Sequence, residues 1–242
     1  MNHLLQSQLQ SYASSGLYPL HMPGHKRRVV PAPGLPAGWD MTEVPGVDDL
    51  HDADGILADA MARTAALWGA KRTWYLVNGS TCGILAAILL NSGAADYVVT
   101  GCGTGEGAML ALNSFPGVIC GHVEDPVDAY TFAHVNDGNA VALPFAKGFG
   151  WGGELNLEYI FEKLFGFGHG QGYPKERVVP EQRNKKILDG VRAVAFRDLS
   201  DILKNLDRDL VKGAFAGEHF AEYFFPACKD EKLAETVKEL MA

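Results

Sequence analysis

The chain has 242 residues, of which 47% are hydrophobic and 21% are charged, and its formal net charge is −8. This composition is typical of a globular protein and excludes a fibrous or disordered chain. A protein that binds nucleic acid or a membrane surface through charge needs a basic stripe, so the acidic balance argues against both classes of partner. The length allows one large domain or two small ones.

The N-terminus and the cysteines bear on the cellular compartment. The first residues, Met1–Gln6, lack a basic region followed by an apolar run and therefore predict no secretory signal. The longest clean apolar run, Ile84–Leu90, is too short to span a membrane. The four cysteines are scattered without a C-x-x-C pair, which favours reduced thiols over disulfides or a zinc site. We therefore expect a soluble, cytoplasmic α/β protein.

The N-terminal third of the chain carries helical patterns around a long loop. A short polar helix is predicted over residues 2–14, followed by a loop rich in proline and glycine over 16–45. A structureless stretch of this length is typical of a functional loop or of a segment that lacks its partner. Apolar residues recur at helical spacing from Asp54 to Trp68, and a short strand is predicted over Thr73–Val77.

A helix is predicted from a Ser-Thr cap to Leu90, and strands and helices alternate regularly after it. Such an alternation predicts βαβ units and therefore a parallel sheet. The predicted strands are Tyr97–Thr100, Val118–Val123 and Ala140–Phe145, and the predicted helices are Ala108–Ser114, Pro126–Val135, Glu154–Phe165 and three C-terminal helices at about 182–195, 198–213 and 229–241.

The most informative segment is the glycine loop Gly101–Gly107, which follows a predicted strand and precedes a predicted helix. Its four glycines let the backbone approach a ligand closely, and its amides at a helix N-terminus suit an anion such as a phosphate or an enediolate oxygen. The loop does not fit the G-x-G-x-x-G dinucleotide fingerprint, since the third glycine would fall on Glu106. It does not fit a P-loop either, since no Gly-Lys-Ser/Thr follows.

Cys102 belongs to this loop and lies at the C-terminal end of a predicted parallel strand, where open α/β sheets bind their ligands. A nearby helix N-terminus lowers the pKa of a thiol, which makes Cys102 a candidate base or nucleophile. The alternative is a small buried hydrophobe, the usual role of a free cysteine. The position alone leaves both interpretations open.

Five separated motifs in residues 91–242 resemble one enzyme family. They are Val99–Gly107, Asn113–Val118, Asp125-Pro126, Asn136–Asn139 and Lys147–Trp151. These motifs and their order along the chain resemble those of the ribose-5-phosphate isomerase B and galactose-6-phosphate isomerase family. The resemblance implies a three-layer, parallel-sheet, Rossmann-like α/β domain with a helical C-terminal extension, which interconverts aldose and ketose sugar phosphates without a metal or organic cofactor. It also implies a homodimer or homotetramer whose sites are shared between subunits.

The resemblance also implies site residues. Cys102 matches the base that moves a proton between C1 and C2 of the sugar, and Asn136 matches the asparagine that binds the substrate's hydroxyls. The loop that stabilises the enediolate corresponds to Gly103, Thr104, Gly105 and Gly107. Such an oxyanion-hole role is usually worth several kcal/mol of barrier.

The sequence departs from the family at the ring-opening histidine. Many members carry this histidine immediately before the asparagine, whereas here Val135 has that position and His134 precedes it. A shift of one residue turns a helical side chain by about 100°, so the candidate catalytic residue His134 has a surface or hydrogen-bonded histidine as its alternative. Arg177 and Arg183 are the candidate phosphate-binding cations, with solvated charges at a helix start as the alternative.

The first 85 residues resemble a different family. His21–Lys26, Thr42–His51 and Val77–Gly83 are similar to the N-terminal part of the Orn/Lys/Arg decarboxylases, which are pyridoxal-phosphate enzymes of fold type I. In that family a Gly-Ser-Thr turn holds the cofactor phosphate, and it matches Gly79, Ser80 and Thr81. The Schiff-base lysine lies downstream in that family, where this chain already resembles the isomerases, so the resemblance does not predict decarboxylation.

Together the two resemblances predict a chimera-like chain. A partial decarboxylase-like segment covers residues 1–85, and a sugar-phosphate isomerase domain without its usual first βαβ unit covers 86–242. Three hypotheses follow: an aldose–ketose isomerase of phosphorylated sugars, a pyridoxal-phosphate-dependent decarboxylase-like fragment, and a non-catalytic fusion product. We expect no metal, and pyridoxal phosphate only under the second hypothesis. Loss of the first βαβ unit leaves an unpaired sheet edge, which favours aggregation unless another segment covers it.

Overall fold

The computed structural model describes residues 4–20, 37–41, 44, 46–50, 52–76, 80–147, 150–217 and 219–242. The chain divides into two compact units, Met1–Val77 and Asn78–Ala242. The boundary that the sequence predicts, after residue 85, falls inside a helix of the second unit, since that helix runs from Ser80 to Ser92.

The first unit contains two helices that agree with the prediction. They are α1 (Leu4–Ala13) and α2 (Ile56–Trp68), and a short 3₁₀ helix covers Ala37–Trp39. α2 ends at Gly69, which adopts the left-handed conformation (φ 67°) that favours glycine at this position.

The strand predicted over Thr73–Val77 is wrong for the residues that the structure describes, since 72–76 form no strand. β-Branched and aromatic residues favour a strand only where they can pack against a neighbouring strand. The Tyr75 hydroxyl instead lies 2.7 Å from the hydroxyl of Thr64 in α2. A side-chain contact with a helix therefore holds this segment.

The second unit holds the alternating strands and helices. Its strands are β1 (Val98–Cys102), β2 (Cys120–His122) and β3 (Ala140–Pro144). Its helices are α3 (Ser80–Ser92), α4 (Glu106–Asn113), α5 (Pro126–Thr131) with a π-helix directly after it (Phe132–Asn136), α6 (Gly153–Phe165), a 3₁₀ helix (Lys175–Arg177), α7 (Val178–Ala195), α8 (Leu199–Asn205), α9 (Arg208–Phe215), α10 (Phe220–Ala227) and α11 (Glu231–Met241). These bounds confirm the predicted strands, and the predicted helices as far as α7, to within a few residues.

The C-terminal helices differ from the prediction in two places. The helix predicted over 198–213 is divided into α8 and α9 at Leu206, whose backbone is extended (ψ 164°). α10 is absent from the prediction, because Pro226 inside it breaks the helical pattern. Burial stabilises α10, since the Phe224 side chain is fully buried. None of the helices in the described ranges is long and apolar enough to cross a membrane.

All three strands are parallel, in the order β1-β3-β2. β3 lies in the centre, where Ala140 aligns with Val98 on one side and with Cys120 on the other. Because parallel strands run in one direction, β1 and β2 both end at the carboxyl edge of the sheet, at Cys102 and His122. Open α/β folds bind their ligands at this edge.

Helices cover both faces of the sheet and complete the three-layer, Rossmann-like α/β architecture that the sequence predicts. Ala140 and Ala142 of β3 belong to a core cluster with α3, α4 and the C-terminal helices. Val141 and Leu143 belong to a second cluster with α5 and α6. This alternation follows from the two-residue period of a strand, and it buries every residue of β3.

Candidate active site

Cys102 is the last residue of β1, and its backbone is tied to the neighbouring strand. Its carbonyl accepts hydrogen bonds from the amides of Gly105 (3.2 Å) and Phe145 (3.1 Å). The Ala146 amide donates to the Gly103 carbonyl at 2.9 Å. These bonds hold the glycine loop against the end of β3.

Glycines allow the chain to turn tightly from β1 into α4. Gly105 has a φ of 78° and is the N-cap of α4, so it offers no side chain to the first amides of that helix. A Cβ at Gly101 would lie 2.3 Å from the Leu143 carbonyl oxygen, which explains the glycine immediately before the thiol. The first amides of α4 remain available to another acceptor.

The thiol of Cys102 is such an acceptor. A hydrogen bond from the Ala108 amide lowers the pKa of Cys102, desolvation opposes this, and the amides of Thr104, Gly105 and Gly107 lower it further. The side chain is half-buried, and Thr104 and Gly107 are exposed, so solvent reaches the loop. A thiolate in such a place has the properties of a base or nucleophile. The catalytic role of Cys102 stays a prediction.

The other described cysteines have different environments. Burial raises the pKa of Cys120 in β2 to about 12. Desolvation also raises the pKa of Cys228, which follows α10. Among the three cysteine side chains that the structure describes, Cys102 is the one whose pKa is lowered.

A group of polar side chains at the same edge of the sheet consists of His122, Glu124 and Lys147, and we call it the histidine cluster. His122 Nε2 lies 2.8 Å from the Thr104 carbonyl oxygen, and His122 Nδ1 lies 3.7 Å from Glu124 Oε1. Lys147 Nζ donates to the same Glu124 oxygen at 3.0 Å, and this hydrogen bond raises the pKa of Lys147. Sequence reasoning missed the cluster, although His122 falls at the end of a predicted strand.

His134 lies inside the π-helix and is buried, with 3% of its surface exposed. Its Nδ1 lies 2.9 Å from the Gly168 carbonyl oxygen and donates to it. Its ring packs edge-on against Tyr130, with 4.0 Å between the ring centroids, and against Phe167 at 6.0 Å. These contacts favour the hydrogen-bonded histidine that the sequence left as an alternative, rather than a catalytic residue.

Asn136 lies near the opposite edge of the sheet from Cys102. It is exposed and ends the π-helix, shortly before β3 begins. Three residues later, the carbonyl of Asn139 accepts a hydrogen bond from the amide of Val98, at the start of β1 (3.0 Å). The five residues of β1 separate the two edges by about 13 Å. A single chain therefore does not bring Asn136 and Cys102 together.

The candidate arginines lie on the side of Asn136. Arg177 and Arg183 are exposed, at the end of the 3₁₀ helix and in α7. The chain just before them is joined to the π-helix, since the Gly172 amide donates to the His134 carbonyl at 2.8 Å. Arg192, later in α7, donates to the Val118 carbonyl, which precedes β2. α7 therefore follows the amino edge of the sheet.

The predicted cofactor-phosphate turn falls mostly outside the described residues. Gly79 is not among them, and Ser80 and Thr81 are described only as the first backbone residues of α3. The turn stays a prediction. In the described ranges, no group of three histidine, cysteine or acidic side chains is placed to hold a metal ion.

Two family models match the chain. One, described as ribose/galactose isomerase, matches residues 77–159, which contain all three strands and the glycine loop. The other, described as ribose-5-phosphate isomerase, matches residues 194–240, which contain most of the C-terminal helices.

Two solved structures are similar to most of the chain. The 4-deoxy-L-threo-5-hexosulose-uronate ketol-isomerase complexed with a tartrate is 50% identical, with a TM-score of 0.68, and the match covers 77% of this chain and 92% of that one. The ribose-5-phosphate isomerase LacAB_rpiB from Vibrio parahaemolyticus is 51% identical, with a TM-score of 0.63, and the match covers 67% and 76%. The fold and site define a Rossmann-like α/β protein with a thiol at a helix N-terminus. Together with these matches, they show that the chain belongs to the ribose/galactose isomerase family.

Two curated proteins of Bacillus subtilis (strain 168) also match. The uncharacterized protein YaaO is 34% identical over 95 residues, and an arginine decarboxylase is 24% identical over 131 residues. The alignments cover 37% and 51% of this chain, which spans 20% and 26% of the length of the two relatives. The chimera-like organisation stays a prediction.

Proposed function

We propose that this protein is an aldose–ketose isomerase of phosphorylated sugars, with the Cys102 thiolate as the base. The observation that carries the proposal is the position of the Cys102 sulfur beside the loop amides and the first amides of α4. Membership of the ribose/galactose isomerase family supports the class of reaction. The site lies at the carboxyl edge of a parallel sheet, where this kind of fold binds its ligands.

The proposed reaction moves protons within the sugar and leaves its overall oxidation state unchanged. The Cys102 thiolate removes the proton from C2 of the aldose, and the electron pair of that C–H bond forms the double bond of an enediolate. The thiol then returns the proton to C1, while the hydroxyl proton moves from the oxygen on C2 to the oxygen on C1. As written, the reaction needs no metal or organic cofactor, and we propose none.

The loop amides stabilise first the Cys102 thiolate and then the enediolate. In the free enzyme they stabilise the Cys102 thiolate. Once the sulfur has taken the proton, it needs these hydrogen bonds less, and the amides of Gly103–Gly107 are available to the enediolate oxygen. Donors that are already aimed at the developing charge usually contribute several kcal/mol to lowering a barrier.

The remaining candidate residues belong, in this proposal, to a site shared between two copies of the chain. Asn136, Arg177 and Arg183 lie at the opposite edge from Cys102, and a homodimer or homotetramer would bring them to the thiol of a neighbouring copy. Arginine suits the sugar phosphate because its planar fork matches phosphate oxygens.

A coupled aldose–ketose assay with ribose 5-phosphate and galactose 6-phosphate tests the proposal. We expect Cys102→Ala to lower turnover by roughly 10²–10⁴-fold, the usual contribution of a positioned proton-transfer group, and Cys102→Ser to retain at most a trace. Cys228→Ser is the matched control and keeps its activity, since that thiol follows α10 and its pKa is raised. Unchanged turnover in Cys102→Ala contradicts the proposal.

The similarity to a 4-deoxy-L-threo-5-hexosulose-uronate ketol-isomerase favours a second substrate class. A uronate carries a carboxylate, and the guanidinium group of arginine binds carboxylates as well as phosphates. The assay therefore includes this uronate beside the two sugar phosphates. If the protein converts the uronate and neither sugar phosphate, and Cys102→Ala loses that activity, then the uronate is the substrate and Cys102 remains the proposed base.

The two other hypotheses make different predictions. A pyridoxal-phosphate enzyme is yellow, and borohydride reduction fixes the cofactor to a lysine, so a protein that stays colourless after incubation with the cofactor contradicts that hypothesis. A non-catalytic fusion product with an uncovered sheet edge is expected to melt without cooperativity and to form high-mass species in size-exclusion chromatography. A single cooperative transition and a discrete oligomer contradict it.

A further inference from the structure

His122 is packed directly against the glycine loop. It is the last residue of β2, and 22% of its side chain is exposed. A Cβ at Gly105 would lie 2.6 Å from both Cδ2 and Nε2 of the His122 ring. The ring therefore fills the space beside the loop, and the loop approaches it closely because residue 105 is glycine.

The hydrogen-bond partner of Nε2 defines whether that nitrogen carries a hydrogen. The Thr104 carbonyl, 2.8 Å from Nε2, can only accept a hydrogen bond, so Nε2 carries a hydrogen. Nδ1 faces Glu124 at 3.7 Å, and Lys147 holds that carboxylate at 3.0 Å. The Thr104 carbonyl is therefore the hydrogen-bond partner that orients the ring, because 3.7 Å is too long for a hydrogen bond between Nδ1 and Glu124.

The hydrogen bond to Thr104 also orients the next amide. In a trans peptide the carbonyl and the N–H point in opposite directions. With the Thr104 carbonyl directed at His122, the N–H of Gly105 points the other way, toward Cys102, whose carbonyl accepts it at 3.2 Å. The Gly105 amide is also one of the groups that lower the pKa of Cys102.

We propose that His122 is a positioning residue that aims the amides of the glycine loop at the sulfur of Cys102 and at the enediolate oxygen. The role rests on the proposed isomerase function, and His122 itself exchanges no proton with the substrate. The charged or titratable groups around the loop are the histidine cluster and Glu106 at the start of α4. The neutral Nε2–H form of His122 is sufficient for this role.

The first test measures the reactivity of the thiol and does not depend on turnover. Cys102 is alkylated with iodoacetamide across a range of pH, and the modified peptide is quantified by mass spectrometry, because the thiolate is the species that reacts. In His122→Leu we expect the midpoint to move to higher pH and the rate at pH 7 to fall by roughly three- to tenfold. We expect His122→Gln, which keeps an N–H donor, to restore part of the rate.

The matched control is His219→Leu, which makes the same change at an exposed histidine that pairs with Glu222. It leaves alkylation of Cys102 unchanged. A folded His122→Leu protein with the wild-type alkylation profile overturns the proposal. If His122→Leu does not fold, nitrogen-15 NMR of the histidine side chains in the wild-type protein decides: a hydrogen on Nε2 of His122 supports the role, and an unprotonated Nε2 overturns it.

Turnover separates this proposal from the proposed function. If Cys102→Ala is inactive while His122→Leu keeps both normal alkylation and normal turnover, the isomerase function stands and the positioning role is wrong. If Cys102→Ala stays active while His122→Leu alters alkylation, the histidine positions the loop but the thiol is not the base.

Discussion

The environment of the Cys102 sulfur determines how the proposed activity depends on pH. The loop amides lower the pKa of Cys102, so its thiolate persists at pH values where an ordinary thiol is protonated. We expect kcat/KM to fall as the pH is lowered through this pKa, because protonation removes the base. The midpoint should coincide with that of Cys102 alkylation and lie below that of Cys228, whose pKa is raised. An activity profile that does not follow Cys102 alkylation contradicts the assignment.

Gly105 tests the geometry of the loop at a single position. Its φ of 78° disfavours any side chain, and an added Cβ would lie 2.6 Å from the His122 ring and 3.1 Å from the Pro144 nitrogen. We expect Gly105→Ala to lower the free energy of unfolding by more than about 1 kcal/mol and to reduce turnover, because the amides beside Cys102 are displaced. Chemical denaturation and the coupled assay measure the two effects.

The control for that substitution is Gly190→Ala in α7. A Cβ at Gly190 meets no atom within 4 Å, so alanine fits the helix without displacing a neighbour. We expect it to raise the free energy of unfolding by about 0.5–1 kcal/mol, since alanine loses less entropy in a helix. Equal losses of stability in both variants would contradict the argument from backbone conformation and space.

At the scale of the secondary-structure elements, Asp198 contacts both α8 and α11. Its carboxylate caps α8 by accepting from the Ser200 amide (2.9 Å), and it pairs with Lys232 of α11 (3.0 Å). The hydrogen bond from Lys232 is the largest cause that lowers the pKa of Asp198 in the folded state. The stabilisation is therefore present above the pKa of the unfolded chain and is lost as the pH falls through the folded-state pKa.

We expect Asp198→Ala to lower the free energy of unfolding by about 1 kcal/mol at neutral pH, which is typical of a lost N-cap. The difference in the free energy of unfolding between this variant and the wild type becomes smaller in acid, because the Asp198 carboxylate of the wild-type protein is then protonated. Urea denaturation at several pH values measures both effects. Asp189→Ala is the control: it removes an i,i+4 ion pair with Lys185 within α7 and is expected to cost about 0.5 kcal/mol or less. If Asp198→Ala lowers the free energy of unfolding by the same amount at every pH, the Asp198 charge does not stabilise the fold.

The strands and the place of the thiol could be predicted because both depend on local sequence. Val98-Val99 of β1 and Ala140–Leu143 of β3 are short apolar runs, and parallel topology alone places Cys102 at the carboxyl edge. The role of His122 could not be predicted in this way, because its partner Thr104 is 18 residues distant in the chain and its tautomer depends on that contact. α10 was missed because Pro226 interrupts its helical pattern, while the burial of Phe224 that stabilises the helix depends on distant parts of the chain.

At the scale of the whole molecule, the candidate site residues lie at two opposite edges of the sheet. Cys102 lies at the carboxyl edge, whereas Asn136 and the exposed Arg177 lie toward the amino edge. The family resemblance implies a site shared between subunits, and the separation of these residues within one chain favours the same arrangement. The strand direction separates these residues, and a symmetric oligomer is the simplest arrangement that reunites them.

A purified hetero-oligomer tests this arrangement directly. Chains that carry Cys102→Ala and Asn136→Ala are co-expressed with different affinity tags and isolated together. If the sites are shared in a dimer, each mixed dimer has one intact site and is expected to show about half of the wild-type turnover, although each variant alone is nearly inactive. A mixed dimer of Cys102→Ala with Cys102→Ser is the control, since neither of its sites has the thiol. If the first pair is no more active than this control, or if light scattering finds a monomer, the shared site is wrong, and Asn136 acts outside the site that contains Cys102.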